Sequence, residues 1–210
     1  MLSWKGCAEP DCSSAAVAES EFCYRHLPDE QRWRDILVSA ISSQRELLAY
    51  NLSGAVLPRL DLTGKALLQC RLSAATLENC RLDNTNWHMC FLDDARITNG
   101  SIRESIVRSC TFAGARITAS SFTDSDIIQT SFNGARIEHS SFEDCDLTMS
   151  RFVAVRFESV GFLNCNLKNV YFMHAATEEV SFRLSNPEDA VFERGAEPSG
   201  ELHRYEGLYP

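Results

Sequence analysis

The sequence contains no run of about 18 apolar residues that could span a bilayer. Its opening, Met1-Leu2-Ser3-Trp4-Lys5-Gly6, lacks the basic segment and apolar stretch of a secretory signal, so a cytoplasmic location is expected. Basic charge is scarce. Twenty Lys and Arg stand against 29 Asp and Glu, a net charge of −9 with a pI near 5.0. That balance disfavours nucleic-acid binding over the whole surface and leaves room only for a local basic row. His88, His139, His174 and His203 each stand alone, with no nucleophile or carboxylate pair beside them, and no glycine-rich phosphate loop occurs. These absences point away from an enzyme. The 210 residues and 44% hydrophobic composition still suffice for a core. Cysteine is plentiful at nine, and an odd number cannot close into a full disulfide set. In a reducing compartment such residues are metal ligands or small buried side chains.

A five-residue repeat dominates the chain. From Leu52 to Phe192 every fifth residue is large and apolar, with Thr177 and Pro187 as the only interruptions. Two places before each centre stands a second inward residue that is mostly small, as in Ala55, Cys70, Cys90, Ser120, Ala135 and Cys165; Tyr50, Leu60 and Lys65 depart from this. A helix repeats at 3.6 residues and a strand at 2, so a period of five requires the chain to turn once per repeat with two residues of each five facing inward. Segments such as Ala115-Arg116-Ile117-Thr118-Ala119 and Cys145-Asp146-Leu147-Thr148-Met149 give the unit its character: small, polar, Leu or Phe, polar, polar.

Over residues 50–194 this pattern resembles the pentapeptide-repeat family. The resemblance implies an all-β solenoid: a right-handed, four-sided β-helix with one unit per side and about seven coils, on the order of 34 Å long at the usual strand spacing. Residues 20 apart should then stack. Phe112, Phe132, Phe152, Phe172 and Phe192 would line one wall and Phe122, Phe142, Phe162 and Phe182 the opposite one, with Ile and Leu between. Cys70, Cys90 and Cys110 fall into one inward ladder and Cys145 and Cys165 into another, where packing explains them.

The ends differ from the rod. In residues 1–27, Cys7, Cys12, Cys23 and His26 are spaced as C-x4-C-x10-C-x2-H. Four such donors suit a closed, structural Zn2+ site in a segment too short for its own core; free surface thiols are the alternative. Residues 28–49 are expected to form an amphipathic helix, with Pro28 in its first turn and Trp33, Ile36, Leu37, Ala40, Ile41, Leu47 and Leu48 on one stripe. That stripe either caps the first coil or docks a partner. Residues 195–210 are expected to form a flexible tail with Leu202, Tyr205, Leu208 and Tyr209 as anchors. An uncapped last coil would expose apolar surface and strand edges, which suggests a homodimer through the C-terminal end, as the family resemblance also implies.

Three outward features remain. Arg96, Arg116, Arg136 and Arg156 each precede a centre and lie 20 apart, so they should form a row; Glu138, Glu158 and Glu178 fall on the same side. The row is either a solvated, charge-laced face or a docking site for an acidic partner. Asp124, Asp126, Asp144 and Asp146, with Glu104 and Glu143, gather at the next corner, and Leu68, Met89, Ile106, Ile128 and Met149 run along the fourth side. The expected function is a non-enzymatic protein-interaction scaffold with no membrane or small-molecule ligand. The family resemblance supplies an alternative, a DNA mimic that binds a type II topoisomerase such as gyrase. Against it, residues 50–194 carry 18 acidic and 14 basic side chains, a weakly acidic balance. Direct nucleic-acid binding along the arginine row is a third possibility.

Overall fold

The computed structural model describes residues 4–192. Its governing local feature is a corner every five residues. Two places after each inward centre the backbone turns left-handed, from Ala49 at φ 55° to Asp189 at φ 56°. Gly54, Gly64, Gly114 and Gly134 take four of these corners, and none of the others is β-branched. A left-handed conformation costs an L-residue roughly 1–2 kcal/mol. Along the rod the corner amides bond to the next coil, as when Asn79 N–H donates to Thr98 O at 2.9 Å and Met149 N–H to Lys168 O at 3.0 Å.

The strands between corners are short and all parallel, and each pairs with the residue 20 positions on. One face stacks Leu47, Leu67, Trp87, Val107 and Ile127 in register. The facing one stacks Leu77, Ile97, Ile117, Ile137 and Phe157, and ends at Thr177. The result is the expected β-solenoid of about seven coils. The two phenylalanine walls form as stacks with ring centroids 4.8–5.2 Å apart from Phe112 to Phe192 and 4.6–4.9 Å apart from Phe122 to Phe182. Rings of opposite walls meet edge to face, as Phe142 meets Phe152 at 6.1 Å and 85°. Stacking within a wall and edge-to-face contact across the interior both suit the ring quadrupole.

The small inward residues do more than save space. Gly100 N–H donates to Ser120 Oγ, Ser120 N–H to Ser140 Oγ and Thr130 N–H to Ser150 Oγ, each at 3.1 Å across one coil. Cys90 N–H approaches Cys110 Sγ at 3.4 Å in the same way. The hydroxyls and thiols thus satisfy corner amides that have no strand partner, and among the described residues no buried side-chain polar atom is left without a bond. The six cysteines of the rod are buried free thiols. Burial pushes the Cys80 thiol up, against a cysteine's ordinary value, and so keeps it inert.

The helix is shorter than expected, Glu30–Ser43 rather than 28–49. Asp29 caps it by accepting the Arg32 N–H at 2.9 Å, which leaves Pro28 outside the helix. Glu46–Leu48 is instead the first strand, paired with Ala66–Leu68, because Leu47 lies in the five-residue register one step before Leu52. Trp33, Leu37 and Ile41 are buried in one continuous core with Leu47, Leu52 and Leu57, so the helix covers the open first coil; Ile36 and Leu48 face solvent. The expected tail, 195–210, with Leu202, Tyr205, Leu208 and Tyr209, lies outside the described residues. No helix among the described residues is long and apolar enough to cross a membrane.

Two substitutions test this packing. Phe142→Ala removes a fully buried ring stacked between Phe122 and Phe162, and should lower unfolding free energy by about 3–5 kcal/mol in denaturant titration. Ala119→Val puts a β-branched side chain at a corner with φ 50° and should cost about 1–3 kcal/mol.

Candidate metal centre and charged faces

The N-terminal segment is knotted by its backbone. Gly6 bridges Ala15 in antiparallel fashion, and Cys7 N–H donates to Ser14 O at 2.9 Å, closing a hairpin that carries Cys7 and Cys12. Cys23 and His26 flank a single tight turn, Tyr24–His26, in which His26 N–H returns to Cys23 O at 3.0 Å. Ala8 N–H to Glu21 O at 2.8 Å and Val17 N–H to Phe22 O at 2.9 Å hold the two pieces together.

All four expected donors converge. Their ligand atoms lie within 4.8 Å of one another, with Cys12 Sγ 3.9 Å from Cys23 Sγ, and His26 Nδ1 3.5 Å from Cys7 Sγ and 3.6 Å from Cys23 Sγ. A tetrahedral zinc with ordinary bond lengths requires sulfur–sulfur edges of about 3.8 Å and sulfur–nitrogen edges of about 3.6 Å. The donor set fits that shape, with His26 presenting Nδ1. Burial raises the Cys7 thiol, but the bonds it accepts outweigh this, chiefly from the amides of Cys23 (3.2 Å) and Glu9 and from the His26 ring, and they bring it down to about 6. Cys23 moves the other way, pushed up by burial.

This knot is seated on the end of the rod. Inside the solenoid the Arg71 carbonyl accepts from Leu52 N–H, 19 residues earlier. The Asn51 carbonyl has no coil before it, and the Ala18 N–H takes that place at 2.7 Å. Asn51 Nδ2 donates to Ala16 O at 2.7 Å, Trp33 Nε1 to Ala18 O and Trp4 Nε1 to Ala49 O, both at 2.8 Å. The buried Asn51, Val17 and Trp33 therefore join module, helix and first coil. Sequence reasoning did not single out Asn51; a polar residue at the head of the repeat was the available signal.

The arginine row forms as expected. Arg96, Arg116, Arg136 and Arg156 are neighbours on successive parallel strands. Arg136 pairs with both Glu138 and Glu158, but Arg96, Arg116 and Arg156 make no ion pair among the described residues. Thr98 and Thr118 stand in register with Glu138 on the same strands. The acidic corner is different, since its four aspartates are all engaged. Asp124 lies 4.0 Å from Arg103 and Asp126 3.1 Å from Arg108. Asp144 accepts from Asn164 Nδ2 at 2.5 Å, and Asp146 from Thr148 N–H at 3.0 Å and Asn166 Nδ2 at 3.1 Å. The apolar run is not continuous: on its strand column Leu48 and Leu68 are followed by His88 and Arg108 before Ile128.

A family model described as a pentapeptide repeat region matches residues 115–192. No curated protein matches the chain. Among solved structures, HetL, a pentapeptide repeat protein involved in heterocyst differentiation regulation from the cyanobacterium Nostoc sp. strain PCC 7120, is similar at 14% identity and a TM-score of 0.44, over 71% of this chain and 94% of that one. QnrB1, a plasmid-mediated fluoroquinolone resistance protein, is similar at 17% identity and a TM-score of 0.38, over 65% of this chain and 86% of that one. The coil, the corner and the register continue from residues 115–192 back to the first strand, Glu46–Leu48, so the matched pentapeptide repeat region is part of a longer solenoid of the same build.

Proposed function

We propose that the chain is a non-enzymatic protein-interaction scaffold: a rigid rod with its first coil closed by a zinc-organised cap, and with an acidic partner docked along the arginine row. The observation that carries the docking is the contrast between the two charged faces. Arg96, Arg116 and Arg156 stand on paired strands and make no ion pair among the described residues, whereas Asp124, Asp126, Asp144 and Asp146 are already bonded within the chain. Arginine presents a planar fork that takes a carboxylate through two hydrogen bonds, and a fixed row loses little entropy on binding. A DNA mimic acting on a topoisomerase would need its acids free for the partner's basic groove, which favours the arginine face. The zinc reading rests on four donors at tetrahedral spacing in a segment that buries few side chains of its own. Zinc there would be structural, since all four positions are filled by protein and none is open to water or substrate.

Purified protein should contain about one equivalent of zinc, and Cys23→Ser should lose it; less than half an equivalent in the unsubstituted protein rejects the site. For the row, the chain and a triple variant, Arg96→Glu, Arg116→Glu and Arg156→Glu, serve as bait at moderate salt in native extract. A partner held by the first and lost by the second, with affinity falling at least tenfold as three charge contacts are reversed, supports the row. Recovery of topoisomerase subunits equally by both baits overturns it in favour of the acidic corner.

A further inference from the structure

A second polar site lies where the N-terminal module meets the rod. Between them runs an open groove of about 700 Å³, with the hairpin residues Ser13 and Ser14 on one bank and the coil corners at Gly54 and Ala74, with Ser73 beside the latter, on the other. Its two cations are unspent. Arg25, exposed in the turn between Cys23 and His26, has no ion pair among the described residues. Arg71 lies with its guanidinium 5.3 Å over the Trp4 ring and faces no carboxylate, so the ring fixes its plane and leaves its N–H edge to donate. The single acid of the groove, Glu30, is occupied by the Tyr24 hydroxyl at 2.9 Å and by Arg34 at 3.6 Å. The hydroxyls of Ser13, Ser14 and Ser73 make no hydrogen bond among the described residues. At Gly54, with φ +72°, a methyl group would meet nothing within 4 Å, so that bank stands clear of its surroundings.

This inventory is one of donors: two guanidinium groups and three hydroxyls, with no free acceptor charge. It exceeds what the two oxygens of a single carboxylate accept, and it matches a phosphate monoester with three oxygens and a charge of about −1.5 to −2. The volume is several times that of one phosphate group and is open along its length, which leaves room for the residues on either side of a modified side chain. We infer that the groove binds a phosphorylated serine or threonine segment of a partner protein, with Arg25 and Arg71 on the phosphate. This site is independent of the arginine row, which lies on a sheet face of the rod and shares no residue with it.

The test uses the full chain and two fluorescein-labelled peptides, Gly-Ala-phosphoserine-Ala-Gly and its unphosphorylated form, with inorganic phosphate as competitor. The phosphopeptide should bind at least tenfold more tightly than the unmodified peptide. Arg25→Ala should weaken it about tenfold, and Arg71→Lys several-fold by removing the fork while keeping the charge, with melting temperature unchanged. The triple reversal of the arginine row should leave it unaltered, which separates a failure here from a failure of the docking row. Equal binding of the two peptides, an unaltered affinity in Arg25→Ala, or inorganic phosphate binding as tightly as the phosphopeptide would each overturn the proposal.

Discussion

The left-handed corner is the constraint on which everything else depends. One residue in five held at φ near +50° to +60° turns the chain by about a quarter, four such turns return it above itself, and the backbone bonds between coils make that return a register of 20 residues. Once the register is fixed, any side chain recurring at 20 becomes a column. Phenylalanines become two stacked walls, serines become a ladder of amide acceptors, and arginines become a row at the spacing of parallel strands, about 4.8 Å. Rigidity follows from the same cause. A row built this way cannot spread to relieve its own repulsion, so it must be paired within the chain, as at Arg136, or remain available, as at Arg96, Arg116 and Arg156.

A solenoid solves its interior by repetition and leaves its ends unsolved. At the first coil the missing neighbour is replaced piece by piece: Ala18 N–H for the absent strand amide, Trp33, Leu37 and Ile41 for the absent core layer, and Asn51 as the bonded link between them. A short segment able to do this needs an organising centre, and the proposed zinc site, whose three thiols and one imidazole lie within 4.8 Å of one another, would supply it. The cap in turn creates a concave surface that a plain rod lacks, and the serine-rich groove with Arg25 and Arg71 lies in that concavity.

Much of this was legible in the sequence because period and chemistry coincide there. The centres from Leu52 to Phe172, the facing phenylalanine walls and the arginine row follow from counting in fives and twenties, and Cys7, Cys12, Cys23 and His26 follow from their spacing alone. What escaped was set by neighbours distant in sequence. The helix ends at Ser43 because Leu47 is claimed by the strand register, a tertiary preference that overrides the local apolar stripe. The acid cluster shows in the sequence as residues gathered at one corner, but its partners Arg103, Arg108 and Asn164 emerge only from the coil geometry, which also breaks the apolar run at His88 and Arg108. The groove has no signature in any single segment, since its banks are about 40 to 60 residues apart in the chain.

The proposed zinc would hold a cap that is seated on a rod able to hold itself. Amide hydrogen exchange followed by mass spectrometry, with and without a zinc chelator, addresses both halves at once. Chelation should speed exchange in residues 4–27, in the helix Glu30–Ser43 and in the first coil around Leu52, while peptides spanning Phe112–Phe172 stay protected. Unchanged exchange at the amides of Ala18 and His26, or equal loosening of the phenylalanine-stacked coils, would contradict it.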